Sequence, residues 1–427
     1  MKYRDCQLMK TNEKDTHQRI VPALRFPEFQ NCEGWICLRG GDVFKQISNK
    51  KHNADLPILA ISQEFGAIPR DAIDYKVIVS ESGLENYKVV EVGDFIISLR
   101  SFQGGIEYSN YKGICSPAYV ILRKKLNIEN QFFKHYFKSY AFIRDLNKNL
   151  EGIRDGKMVS YKQFSEILLP IPSTSNNKEQ QKIADCLSSI DSLIKATEDK
   201  IDLLKAHKKG LMQQLFPAEG ERTPKLRFPE FQNAGEWEPT NLRAITYKTN
   251  KRNKTGESLP IYSINNKQGF IKQEDQFDGI DSSSRGYDLS LYNLVDKHTF
   301  AYNPARINVG SIGYSGELNN IIISSLYVCF KTRESVIDDF LLKYFDSDLF
   351  NKAVVNSVEG GIRSYLFYDN FAKINLYLPP SRNEQQKIAD CLSSIDSLIK
   401  ATEDKVAHLK AHKRGLIQQL FPNIDKY

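Results

Sequence analysis

The sequence predicts an α+β protein: two globular mixed α/β domains, each followed by a long helix, with the two helices pairing as an antiparallel coiled coil. Three observations predict it. The stretch Glu179–Pro217 recurs as Glu384–Pro422 with only five changes: Ile201 to Val406, Asp202 to Ala407, Leu203 to His408, Lys209 to Arg414 and Met212 to Ile417. An internal repeat of this fidelity fixes the architecture before any local motif does. Within each copy the apolar residues follow alternating spacings of four and three, a heptad seam. Ahead of each copy lies a similar succession of β-type runs, turn residues and a closing apolar strand.

Taken in order, residues 1–20 are expected to be a flexible polar tail. The first domain spans 21–175, the first long helix 176–217, the second domain 218–380, and the second helix with its C-terminal tail 381–427. Both domains open on LRFPEFQ, Leu24–Gln30 and Leu226–Gln232, followed by Trp35 and Trp237. Aromatic residues at this density seek burial, so these segments should dock each domain on its core or on a neighbouring helix. A polar basic stretch follows (Ser48–Asn53; Lys248–Lys254), then a β-type run from Leu56 or Leu259, with Gly66 and Gly269 as turn residues. Val92–Gly105 and Thr299–Gly313 read as strands with glycine-rich turns. Further strands are expected at Ala118–Leu122 and Ser325–Phe330. Helical stretches then precede EGIR (Glu151–Arg154) and GGIR (Gly360–Arg363), and the strands Ile167–Pro172 and Ile374–Pro380 lead into the long helices.

The first seam is Ile183, Leu187, Ile190, Ile194, Thr197, Ile201, Leu204, Lys208, Leu211 and Leu215. The second is Ile388, Leu392, Ile395, Ile399, Thr402, Val406, Leu409, Lys413, Leu416 and Leu420. Each helix should begin in a capping box, Asn176 with Glu179 and Ser381 with Glu384, and stop at Pro217 or Pro422. An amphipathic rod leaves its seam in water unless it finds a partner, so the two rods should pack on each other. Outward residues match as well, as in Lys182/Lys387, Asp185/Asp390 and Glu198/Glu403. That favours a partner bound once per rod over a recent duplication, because the flanking domains have diverged.

The 427 residues allow two or three domains, and 41% apolar with 11% aromatic residues suffices for real cores. A net charge of +7, carried mostly outside the rods, leans toward an anionic partner such as nucleic acid. No apolar run approaches a membrane span and the first twenty residues are not signal-like, so a cytoplasmic location is expected. The seven cysteines form no CxxC pair, and Cys186 and Cys391 are repeat equivalents. Reduced packing thiols are expected rather than disulfides or zinc. Phosphate-binding GxxxxGK[ST], HExxH and GxSxG motifs are absent, and Asn303-Pro304-Ala305-Arg306 lacks the second proline and aromatic of the amino-methyltransferase tetrapeptide. His207 and His412 read as solvated helix face. No catalytic residue and no metal ligand is assigned.

Four groups are candidates for DNA contact. Lys50, Lys51, Lys251, Arg252 and Lys254 lie among Asn and Ser, a mixture that grips phosphates and leaves polar side chains for base edges. Gln63, Glu64, Asn265, Asn266, Lys267 and Gln268 follow the first strand at matched positions and differ between the halves. Arg100, Ser101, Gln103, Arg306 and Asn308 lie beside glycines. Arg154 and Arg363, with Gly152 and Gly361, form the fourth group, where a structural turn is the competing reading.

Two domains, each followed by a helix opening EQQKIA and closing QQLFP, together with LRFPEF and INVGSIG, resemble the specificity subunit of a type I restriction-modification system over essentially the whole chain. The resemblance implies two target-recognition domains, each reading one half of a bipartite double-stranded DNA target, with the central helices antiparallel. It implies two methyltransferase (modification) subunits as partners, and two ATP-dependent restriction subunits acting as translocase and nuclease. S-adenosylmethionine, ATP and Mg would belong to those partners, with no cofactor on this chain. No individual base contact carries over by motif. A non-catalytic coiled-coil scaffold and a standalone DNA-binding regulator are the alternatives.

Overall fold

The computed structural model describes residues 19–52, 55–72, 83–148, 159–174, 177–357 and 365–424. The chain forms two compact units. One reaches Glu198 and resumes at Asp404; the other runs Asp199–Glu403.

In the first unit an antiparallel sheet carries, in spatial order, Phe44–Ile47, Val120–Lys124, Phe95–Ile97 and Glu107–Tyr108. Side chains alternate across a strand. Phe44, Phe95, Ile97 and Leu122 therefore face a core shared with the helices Asn130–Tyr136, Tyr140–Lys148 and Tyr161–Glu166. Ile96 and Ile121 face the other way, onto a second β layer with Leu59, Ala67, Val90 and Cys115. That outer layer is the hairpin Leu59–Ser62/Gly66–Pro69 and the pair Lys88–Val90/Gly113–Cys115, joined by a parallel bridge from Ile58 to Ile114. Central strands buried on both faces explain why FII and VIL read as continuous apolar runs.

The second unit repeats the plan. Its inner sheet runs Thr246–Thr249, Val328–Thr332, Phe300–Tyr302, Ile312–Tyr314. Its outer sheet runs Gly269–Lys272, Ile261–Asn265, Ile321–Ile323, Asn293–Val295. Phe300, Tyr302 and Phe330 enter the helix-side core, while Ala301 and Cys329 pack between the sheets. A separate two-stranded ribbon closes each unit at its long helix, Ile36–Arg39 with Leu168–Ile171 and Glu238–Asn241 with Asn375–Leu378. The expected strand across Val92–Gly105 is a correction: it ends at Ile97, and Ser101–Gly104 is one helical turn.

The long helices run Lys178–Leu215 and Arg382–Leu420. Most predicted seam residues are buried: Ile183, Leu187, Ile194, Ile201 and Leu215, with Ile388, Leu392, Ile399, Val406 and Leu420. Ile190, Leu204, Leu211, Ile395, Leu409 and Leu416 are half-buried, and Met212 and Ile417 are buried beside the last turn of the seam. In the first unit Asp191 pairs with Lys413 at 2.5 Å and Glu198 with Lys410 at 2.7 Å, so the helix segments there run antiparallel. The repeat equivalents do the same in the second unit, Asp396 with Lys208 at 2.7 Å and Glu403 with Lys205 at 2.8 Å. The helix ends are part of the domain cores. Ile183, Ala184 and Leu187 share one core with Ile417, Leu420 and Phe421; Ile388, Ala389 and Leu392 share the other with Met212, Leu215 and Phe216.

The capping-box expectation is overturned for the second helix. Ser381 Oγ accepts from Asn383 N, whereas Glu384 is fully buried and takes the forked guanidinium of Arg227 at 2.7 Å on each oxygen, plus the Trp237 indole N–H at 3.3 Å. Glu179 takes Arg25 at 2.7 and 2.8 Å and Trp35 at 3.0 Å; Asn176 lies outside the described residues. These pairs dock LRFPEF and its tryptophan on the helix start, and bidentate Arg–carboxylate pairing is strong and directional. Gln180 and Gln385 accept the backbone N–H of Glu129 and Ile337 at the head of the domain helix.

The outward matches also have partners inside the chain. Lys182 sits over Phe26 and pairs with Glu28, and Lys387 sits over Phe228 and pairs with Glu230. Asp185 and Asp390 each accept from the glutamine one turn earlier, Gln181 and Gln386. These residues therefore carry matched intrachain contacts while their side chains remain exposed on the helix surface.

Candidate nucleic-acid interface

The outer sheet of each unit presents a tight turn built on the same frame. In the first unit Ser62 Oγ accepts from Glu64 N at 3.2 Å, and Gly66 closes the turn at φ +74°. In the second, Asn265 Oδ1 accepts from Lys267 N at 2.7 Å, and Gly269 closes it at φ +66°. A Cβ on Gly66 would lie 2.9 Å from the Tyr108 carbonyl oxygen, and one on Gly269 3.3 Å from Gly313 Cα, so both turns lie against the matched inner-sheet strand. Only glycine allows that approach with positive φ. The presented residues are Gln63-Glu64-Phe65 in one unit and Asn266-Lys267-Gln268 in the other, all exposed.

The second and third candidate groups meet. Gln63 Nε2 donates to the Arg100 carbonyl at 2.8 Å, and its side chain lies against Gly104, which sets the turn beside exposed Arg100 and Gln103. In the second unit Asn266 lies against Gly310, beside exposed Arg306 and Asn308. Ser101 is a correction: it is fully buried, with its Oγ accepting from Ser98 N at 2.8 Å, and it has no surface to offer DNA. Lys267 and Gln268 also line an open groove of about 1620 Å³ whose other wall includes Lys205, Lys208 and Lys209.

The basic loops lie along the far edge of the outer sheet. Lys50 and Lys51 are exposed; the Lys50 amine reaches Asn86 Oδ1 at 3.5 Å, and Asn49 O accepts from Val89 N. Lys251 pairs with Asp296 and Arg252 donates to the Leu291 carbonyl at 2.7 Å, so part of their charge is already committed; Lys254 is exposed. Arg154 and Arg363, with Gly152 and Gly361, lie outside the described residues.

Four residues of these outer sheets were not among the sequence candidates. Phe65, 59% exposed, sits beside Glu64 on the turn. Lys88 is buried with its amine on the Tyr119 carbonyl at 2.7 Å; burial above all, with Lys50 adding to it, lowers the amine's pKa. Asn293 occupies the matched place and donates to the Ser324 and Tyr327 carbonyls. Arg70 lies within electrostatic reach of Tyr119, as does Arg100. Phe65 alone was recoverable in principle, as an aromatic directly before a turn glycine.

No helix among the described residues is long and apolar enough to cross a membrane. A family description, the type I restriction modification DNA specificity domain, matches residues 34–206 and again 241–411. The chain is 25% identical to the type I restriction enzyme MjaVIII specificity subunit of Methanocaldococcus jannaschii, over 95% of each chain. Among solved structures it resembles the S subunit of a type I restriction-modification system from M. genitalium, with a TM-score of 0.54, 14% identity, and coverage of 95% of this chain and 100% of that one. A chain from a structure of the type I R-M system also matches at a TM-score of 0.54 and 15% identity, covering 91% of this chain and 98% of that one.

Proposed function

Because the chain belongs to the type I restriction modification DNA specificity family, a family of non-catalytic recognition components, we propose that each of its two domains reads one half of an asymmetric, bipartite double-stranded DNA target. The observation that carries this reading is the repeated turn. One frame, made by Ser62 and Gly66 or by Asn265 and Gly269, presents different side chains in the two units. Two readers of unlike half-sites need such a device, a fixed scaffold with variable base-edge groups.

The exposed Lys50, Lys51 and Lys254, in the basic loops at the far edge of the outer sheets, serve as phosphate contacts, which position a protein on duplex without specifying sequence. The paired long helices set the spacer between half-sites and dock two methyltransferase subunits in the cytoplasm, with two restriction subunits in the larger assembly. S-adenosylmethionine, ATP and Mg act on those partners. This chain's residues supply orientation alone.

Domain exchange tests the reading. Replacing residues 21–175 with the first domain of another family member should change one half-site of the methylated motif and leave the other half-site and the gap as they were. Simultaneous change in both half-sites would contradict the modular assignment.

A further inference from the structure

At the tip of the two matched turns, one position carries opposite charges. Glu64 and Lys267 are each the residue whose N–H is held by the side chain two positions earlier, Ser62 and Asn265. Both are exposed, and neither has an ion-pair partner among the described residues. On the outer sheet of the second unit, by contrast, Lys251 meets Asp296 and Lys272 meets Glu274. An unpaired carboxylate weakens attraction to a phosphate backbone, so Glu64 costs non-specific affinity wherever DNA lies close. It repays that cost only by discriminating between bases.

The major groove offers a matching pair of groups. A carboxylate accepts from the cytosine N4 amine, and a lysine donates to guanine O6 or N7. The rigidity needed for such readout is present, since the turn is closed by glycine at positive φ, capped by Ser62 or Asn265, and seated on the inner-sheet strand. Gln63, tied to the Arg100 carbonyl and packed on Gly104, buttresses the tip.

We propose that Glu64 and Lys267 are matched specificity residues, Glu64 selecting a cytosine in one half-site and Lys267 a guanine in the other. This rests on the DNA-reading function proposed above. The test is single-base mapping of methylation in a host carrying the chain with its methyltransferase, comparing wild type with Glu64→Lys, Glu64→Ala, Lys267→Glu and Lys267→Ala. Glu64→Lys should convert one C·G pair of one half-site to G·C, and Glu64→Ala should lower the preference for cytosine there by about tenfold or more. The two Lys267 variants should act on one guanine of the opposite half-site.

An unchanged motif in all four variants would overturn the proposal and leave the DNA-reading function standing. So would loss of methylation with both alanine variants in a soluble, intact complex, which would make the turn a structural loop. Absence of any gapped motif with the wild-type chain would instead strike the function on which the proposal rests.

Discussion

At the foot of each domain, one helix residue faces the same pair of charges on the long helices, and the two units fill that place differently. In the second unit Lys343 donates to Asp396 at 2.6 Å, beside Lys208. In the first, His135 occupies the place, buried, with Nε2 3.1 Å from Ser188 Oγ and Nδ1 3.9 Å from Asp191. Burial first, then Lys413 and Lys134, push its pKa down to about 3. The imidazole is therefore neutral in the folded chain at pH 7. Below its unfolded pKa of about 6.5 the unfolded chain takes up a proton that the folded one refuses, so stability is lost as pH falls from there toward 3, by about 1.4 kcal/mol per pH unit. His135→Gln removes that component. Between pH 6.5 and 4.5, urea unfolding of the wild-type first unit should lose about 2 kcal/mol more than the variant does; parallel pH profiles would place the histidine in a solvated setting. Nothing adjacent in sequence marks His135, because Ser188 lies 53 residues on and Lys413 on the other long helix.

The long helices were legible along their length and misread at their starts. A heptad spacing is a local, repetitive signal, and residues such as Leu187, Ile194, Leu392 and Ile399 are buried as it requires. The glutamates at the helix starts also fit a local template, the capping box, but Glu179 is claimed by an arginine 154 residues away and Glu384 by one 157 residues away. A partner that distant leaves no trace near the carboxylate. Ser101 was misread for a different reason: its partner Ser98 is only three residues away, but composition does not tell a buried loop serine from an exposed one. The helices are 38 and 39 residues long, so at 1.5 Å per residue each spans roughly 57 Å. Inserting one matched heptad after Lys200 and after Lys405, both exposed, preserves the seam and adds roughly 10 Å. The gap between half-sites should lengthen by about three base pairs while both half-sites stay the same. An unaltered gap would remove the spacer role.

At the scale of the whole chain, two similar halves were readable from the near-identity of Glu179–Pro217 and Glu384–Pro422. The way compact units share the helices was not, because it follows from burial of helix ends: each unit takes the start of one long helix and the end of the other. The candidate site was legible as separate loops, Gln63-Glu64 and Arg100, or Asn266 and Arg306. Their convergence depends on strand pairing across the sheets, which spacing alone does not reveal. The central claim is that this chain directs methylation to a bipartite DNA target. Single-base mapping of adenine methylation across the genome of a host carrying the chain and its methyltransferase, beside the same host without the chain, tests it most directly. The account predicts a gapped, asymmetric motif that disappears with the chain. Identical methylation in the two hosts, with the methyltransferase expressed and active, would contradict it.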